Sequence, residues 1–378
     1  MNNKVSIEKC QVYDPEELYR ALKNSAEAAG IPDIENIKNK SVLIKPNLLM
    51  DAAPSRAVTT HPVFVEAVIR LVKEWGASRV IVGDSPGLQG PKFTGRVAGI
   101  EDAVKKTGSE WADFTKGKTE IEYAQGKVQQ RFSITAFYDE VDTIINLPKL
   151  KTHQLMHFTG AMKNMFGLVP SVAKSPYHAR YSTRDAFGTM ITDLILAIKK
   201  PVYNFMDAVI GMEGPGPGSG SPRQIGLVLA SSNILAIDIA ACSIIGYPPQ
   251  LLSINKDALA RRIWLNDMSE IEYPLLKPSD VAVPDYIKIP FRKSKNQLID
   301  FILPKPLRKL RDSKTPYPVI NQTLCVRCED CARICASKAI EVTNAPEEKN
   351  PKKVEIVNRQ CIRCYCCHEI CPVHAINV

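Results

Sequence analysis

Nine cysteines fall within the last 54 residues of this 378-residue chain, eight of them spaced Cys325-x2-Cys328-x2-Cys331-x3-Cys335 and then Cys361-x2-Cys364-x2-Cys367-x3-Cys371-Pro372. The two runs are a duplication. Residues 325–340 and 361–376 align without a gap at an offset of 36, and eight of 16 positions are identical: the four cysteines, Arg327/Arg363, Ile334/Ile370, Ala339/Ala375 and Ile340/Ile376. Short C-x2-C-x2-C turns bring three thiolates together and aim backbone N–H groups at the sulfurs, while the isoleucines exclude water. A disulfide framework fits poorly, because the chain is far larger than stapled miniproteins and shows no charged-then-apolar leader. Zinc sites favour C-x2-C pairs separated by a loop, not three cysteines in a row with a fourth after x3. The pattern calls for iron–sulfur cubanes.

Residues 317–378 resemble the two-cluster bacterial ferredoxins. The resemblance implies two [4Fe–4S] clusters and a crossed ligand set. One cluster would take Cys325, Cys328, Cys331 and Cys371; the other would take Cys361, Cys364, Cys367 and Cys335. Two departures stand out. The first run ends Cys335-Ala336 where the family usually has proline, which weakens the turn but removes no ligand. Cys366, matching Asp330 of the first run, is a ninth cysteine. It is either a bystander thiol beside the cluster, or an alternative ligand or redox thiol.

The length predicts two domains or more. No apolar run reaches 18 residues, so the chain reads as soluble and cytoplasmic, with no membrane partner. Oxygen-sensitive clusters point to an anaerobe. The net charge is +9, and residues 281–318 hold six Lys and three Arg against three Asp, a local net of +6. This stretch reads as a basic linker or helix over 281–316, or as a docking surface for an acidic redox partner. No nucleic-acid motif accompanies it.

Residues 1–280 alternate strand-like and helix-like patterns. Strands are expected over 41–45, 79–83, 141–146, 202–210 and 226–230. Helices are expected over 61–75, 97–107, 188–199 and 235–245, three of them closed by Gly76, Gly108 and Gly246. The alternation implies an α/β domain: a mainly parallel sheet with helices on both faces, followed by a small α+β module at the C-terminus. Such sheets bind ligands where loops leave the carboxyl ends of strands. Polar residues cluster at those points: Lys45 and Asn47, then Asp84 and Ser85, then Lys149, Lys151 and His153 with Lys163 and Asn164, then Asp207 and Glu213. The lysines suit a small anionic substrate, and alternation would turn Lys149, Lys151 and His153 to one side of an extended segment. The bland alternatives are a solvated surface for the lysines and a helix N-cap for Asp84. The Gly/Pro-rich stretch 211–222 reads as a lid or a linker. Cys10 and Cys242 read as packing residues, while His61, His157 and His178 are weaker site candidates. Neither a Walker A loop nor a G-x-G-x-x-G follows any strand.

Taken together, Lys45-Pro-Asn47, Gly83-Asp84-Ser85-Pro86-Gly87, Pro148-Lys149-Leu-Lys151-Thr-His153, Gly160-Ala-Met-Lys163-Asn164 and Asp207-x5-Glu213-Gly-Pro resemble a bacterial and archaeal domain-of-unknown-function family, often fused to a two-cluster ferredoxin domain. The resemblance implies fold, fusion and cofactor, and brings no established reaction. Three functions compete. An oxidoreductase would pass electrons through the clusters to or from a small anion, with Lys149, Lys151, His153, Lys163 and Asp84 doing chemistry and Lys45, Asn47, Ser85, Asn164, Asp207 and Glu213 binding. An electron-transfer adaptor would dock to a redox partner protein. A redox-regulated binding protein would keep its clusters as structure.

Overall fold

The computed structural model describes residues 2–88, 90–291, 316–344 and 352–378. Its core is a sheet whose middle strands are apolar runs buried along nearly their whole length, as strands covered on both faces are. These are β2 (Ser41–Pro46), β3 (Arg79–Val82) and β7 (Thr143–Leu147). The remaining strands of the sheet are β1 (Ser6–Lys9), β4 (Glu110–Trp111), β8 (Lys149–His153), β9 (His157–Thr159), β10 (Val202–Glu213) and β11 (Ser221–Ser231). The order is β1-β11-β10-β7-β2-β3-β4. From β10 to β4 every pairing is parallel; β11 and β1 add an antiparallel edge. β8 runs parallel to the later part of β10, and β9 folds back antiparallel on β8. A separate hairpin joins β5 (Lys118–Glu122) and β6 (Arg131–Thr135).

Alternation along the strands splits the interior into two cores. On one face α1 (Pro15–Ala29), α2 (Pro62–Glu74) and α4 (Ile100–Lys106) pack Leu18, Phe64 and Ile100 with Val42, Ile44 and Val80. On the other, α5 (Ala161–Asn164), α7 (Arg184–Ala197), α8 (Ile234–Ile244) and α9 (Ser253–Arg261) surround Leu43, Ile81 and Ile144. α3 (Pro91–Val97) precedes α4, and α6 (Ser171–Arg180) precedes α7. Helix ends follow local chemistry. Asp14 caps the first turn of α1 by accepting from the Glu16 and Glu17 amides, and Gly30 closes it at φ 65°.

Several boundaries differ from the sequence expectation: the helix expected over 97–107 begins at Ile100, the helix expected from 188 begins at Arg184, and the strand expected from 141 begins at Thr143. The strand expected over 202–210 continues to Glu213, with a register shift between Ala208 and Ile210. The strand expected over 226–230 begins at Ser221. The Gly/Pro-rich stretch is therefore mostly paired: Gly211 faces Arg223 and Met212 faces Pro222, leaving only the tip at 214–220 unpaired. Proline and glycine there mark the turn of a long β10–β11 hairpin, not a linker, and Pro217 of its tip lines the cavity described below. Lys149, Lys151 and His153 also lie on a strand, not in a loop.

The C-terminal module is built twice over. α10 (Asp330–Ile334) and α11 (Cys366–Ile370) follow the two cysteine turns; β12 (Val319–Ile320) pairs with β15 (Ile376–Asn377), and β13 (Ile340–Asn344) with β14 (Lys352–Ile356). The duplication extends to backbone angles. Left-handed residues recur at matching positions: Arg327 and Arg363, Glu329 and Tyr365, Lys338 and His374. Such conformations are costly for non-glycine residues and persist where a site over-determines them. Most of the basic stretch, residues 292–315, lies outside the described residues. No described helix is long and apolar enough to cross a membrane.

Candidate functional site

The cysteine module sits on the rim of the sheet. The β10–β11 tip holds it: the Pro215 carbonyl lies 3.1 Å from His368 Nε2, and the Ser219 hydroxyl 2.8 Å from His374 Nδ1. Ser175 of α6 donates to the Ile334 carbonyl at 3.2 Å. Met50, Val58 and Met212 of the large domain pack with Ile370 and Ile334. Gly218 leaves no room for a side chain, since a Cβ there would stand 2.7 Å from the Glu369 carbonyl oxygen.

A cavity of about 100 Å³ lies at this junction. Its floor is the rim of the α/β domain: Asn47, Asp84, Ser85, Lys151, His153, Lys163 and Asn164. The roof comes from the module, as Ile334, Cys366, Glu369 and Ile370. Lys174, His178 and Ser171 of α6 form one side.

Lys151 is fixed by a directional chain of amides. Its ammonium donates to Asn47 Oδ1 at 2.8 Å and to the Val58 carbonyl at 2.6 Å. Asn47 donates to Asn164 (2.9 Å), Asn164 to Asn146 (2.8 Å), Asn146 to Asn204 (2.9 Å), and Asn204 to the Ser231 carbonyl (3.1 Å). A lysine can only donate and a carbonyl can only accept, so the two ends set every amide between them.

Two buried ion pairs support the rim. Lys45 lies 2.8 Å from Asp84 Oδ1, whose second oxygen accepts the Leu48 amide. Lys149 lies 2.8 Å from Asp207 Oδ2 and donates to the Tyr13 hydroxyl, which in turn donates to Asp207 Oδ1 at 2.8 Å. Asp207 also accepts the His61 amide at 2.9 Å. Lys149 and Asp207 therefore form a structural pair outside the cavity lining. Lys45 acts only through Asp84, and Glu213 pairs with Arg223 and the Ile287 amide at the hairpin, away from the cavity. Asp84 is not a helix cap. His61 instead caps α2 with its ring nitrogen, and Cys10 and Cys242 are buried.

Three lysines converge on the cavity with few counter-charges. Burial, then Lys163 and Lys149, pushes the Lys151 ammonium down to about 7. Burial lowers Lys174 to about 8 against the pull of Asp84. Lys163 is also lowered, chiefly by burial. Among the described residues it has no hydrogen bond or ion pair, only the rings of Phe166 and Phe187 at 5.6 and 5.7 Å. Opposite, Glu369 is raised by burial, and Lys163 is first among the groups that oppose the rise. His153 takes the Leu155 and Met156 amides on Nδ1 at 3.2 and 3.3 Å, which leaves the proton on Nε2, 3.4 Å from Glu369 Oε1. Burial and Lys163 hold that ring neutral.

Two further chambers lie within the module. One is lined by Cys335, Cys361, Cys364 and Cys367 together with Cys366, the other by Cys325, Cys328, Cys331 and Cys371. Backbone N–H groups of Ala339 and Ala375 point at the Cys335 and Cys371 sulfurs, each at 3.2 Å. Four thiols with amide donors around one small chamber suit a cubane.

Sequence reasoning missed Lys174, Ser171 and Glu369, and ranked His178 low. A signal for Glu369 existed. Between the cysteines of the second run stand Cys366, His368 and Glu369, where the first run has Asp330, Ala332 and Arg333. A duplicated scaffold that diverges in its spacer is using the spacer for something else.

A parallel α/β domain joined to this eight-cysteine module defines an iron–sulfur protein of the two-run ferredoxin type. The chain belongs to the domain-of-unknown-function family DUF362, whose model matches residues 42–243, and residues 324–375 match the 4Fe-4S dicluster domain. A thylakoid-associated protein of Synechocystis sp. is 32% identical over 311 residues, covering 82% of this chain and 93% of that one. Among solved structures, the lactate racemase apoprotein from Thermoanaerobacterium thermosaccharolyticum is 11% identical with TM-score 0.40, covering 61% of this chain and 54% of that chain. A Thermotoga maritima protein is 15% identical with TM-score 0.39, covering 62% and 59%.

Proposed function

We propose that this protein binds a small anion in the cavity between its two modules and exchanges electrons with it, as an oxidoreductase. The carrying observation is the convergence of Lys151, Lys163 and Lys174 under a roof made by the second cysteine run. We assign Cys325, Cys328, Cys331 and Cys371 to one [4Fe–4S] cluster and Cys361, Cys364, Cys367 and Cys335 to the other, following the two chambers. Clusters bound there supply single electrons. Lys163, free of partners among the described residues, takes the anion's charge, and Lys151 and Lys174 stabilise further negative charge that develops on it. Asn47 and Asn164 hold Lys151 in place. His153 and Glu369 hold a proton at the cavity wall, where a reduced anion would need one. Ser85 and Asp84 complete the floor. The adaptor reading leans on the basic stretch, most of which is outside the described residues, and no described feature favours it.

The test is anaerobic purification followed by reduction and mixing with a panel of small carboxylates and phosphates. The protein should carry about eight irons from two cubanes, and at least one anion should reoxidise it, with the rate lost in Lys163→Met. Reoxidation by no member of the panel, or equal rates in the variant, would overturn the proposal.

A further inference from the structure

The two cysteine chambers do not relate to the cavity in the same way. Cys366 lines both the cavity and the chamber of Cys335, Cys361, Cys364 and Cys367. The chamber of Cys325, Cys328, Cys331 and Cys371 shares no lining residue with the cavity. Its Cys328 is exposed, whereas none of the cysteines of the other chamber is. Lys163 and Cys366 line the same cavity.

We infer that the cavity and the Cys335/Cys361/Cys364/Cys367 set form one thermodynamically linked unit, in which anion binding makes that set harder to reduce and its reduction weakens anion binding. The Cys325/Cys328/Cys331/Cys371 set stands outside this linkage and faces the surface. This deepens the proposed function and rests on its cluster and anion assignments. The physics is Coulombic: an added electron and an added anion are like charges on either side of one thiol. Linkage requires the two effects to be equal, so a tenfold weaker affinity on reduction corresponds to a potential lowered by about 59 mV for one electron. The device loads an anion in the oxidised state and loosens its hold once the nearer cluster is charged.

The experiment is a redox titration of the anaerobic holoprotein followed by electron paramagnetic resonance. Cys361→Ser and Cys325→Ser mark which signal belongs to which set, since a changed ligand retunes its own cluster. Lys163→Met removes a cavity cation, which has the same sign as adding an anion and needs no ligand. The potential of the Cys361-marked cluster should fall while the Cys325-marked cluster stays put. Oxalate added to the wild type near pH 6, where Lys151 and Lys174 are charged, should lower the same potential. Equal shifts in both clusters, or a shift confined to the Cys325-marked cluster, would overturn the inference. Should Lys163→Met fail to retain iron, Lys174→Met reads the same shift. If oxalate does not bind at all, the anion site fails on its own while the Lys163→Met titration still decides the linkage.

Discussion

Lys149 and Lys151 are two residues apart on β8, yet the structure gives them opposite jobs. Asp207→Ala tests this. The substitution strands the Lys149 ammonium, the Tyr13 hydroxyl and the His61 amide, all of which now meet Asp207 at 2.8–2.9 Å. Both ends of the ion pair are essentially inaccessible to water, so no solvent replaces the lost partner. Removing one member of a buried pair costs about 3–5 kcal/mol, roughly a fifth or more of a typical domain's 5–15 kcal/mol. At about 2–4 °C per kcal/mol the melting point should fall by roughly 6–20 °C. The triple variant Asp207→Leu/Lys149→Met/Tyr13→Phe removes charge and hydroxyl together. It leaves the His61 and Val209 amides without Asp207 and the Ile210 amide without the Tyr13 hydroxyl, at about 1–3 kcal/mol for each that stays unpaired, and should regain part of the loss. Anaerobic thermal unfolding followed by tryptophan fluorescence reads the large domain, which contains all three tryptophans. Calorimetry with oxalate then asks whether the triple variant still binds. The reasoning fails if the single substitution costs under about 1 kcal/mol, or if the triple is no more stable than the single. It fails equally if the stable triple no longer binds oxalate, because Lys149 would then belong to the site.

Anion affinity should be highest in mild acid and decline as pH rises through about 7 and 8, because Lys151 and then Lys174 lose the charge the anion needs. Calorimetric titrations at a series of pH values check this, and Lys151→Met should erase the earlier step. Cys335→Ala and Cys371→Ala should each lower iron from about eight to about four per chain, with different electron paramagnetic resonance signals surviving; a common surviving signal would contradict the crossed assignment. Gly218→Val should push the hairpin tip away from α11, because its Cβ would meet a backbone oxygen at 2.7 Å. Faster hydrogen exchange across residues 366–371 with an unchanged iron content is the expected result.

The fold class was legible because buried parallel strands are written as short apolar runs, and β2, β3 and β7 are such runs. The β10–β11 hairpin was hidden because its tip is rich in glycine and proline, residues that announce a turn but not how far the strands around it extend. Of the candidate site, Lys151, His153, Lys163, Asn47, Asn164, Asp84 and Ser85 do share one cavity. Lys149, Asp207 and Lys45 were of the right type but are occupied by partners invisible in a linear pattern, above all Tyr13, which lies 194 residues from Asp207. Lys174 reaches the rim from α6 through the Ser85 carbonyl, 89 residues away, and Glu369 comes from the C-terminal module, so no local spacing could have joined them to it.

The amide chain from Lys151 to Ser231 gives the cavity a footprint in the sequence much wider than its walls. Its links come from five separate segments, and two of them, Asn146 and Asn204, never touch the cavity. Neither aspartate nor leucine can serve at a link, since an ionised aspartate cannot pass a hydrogen onward and leucine can neither give nor take one. A change at Asn204 would thus be read at Lys151 four hydrogen bonds away. A survey of variants that counted only lining residues would score such a change as remote, and would misjudge what this site tolerates.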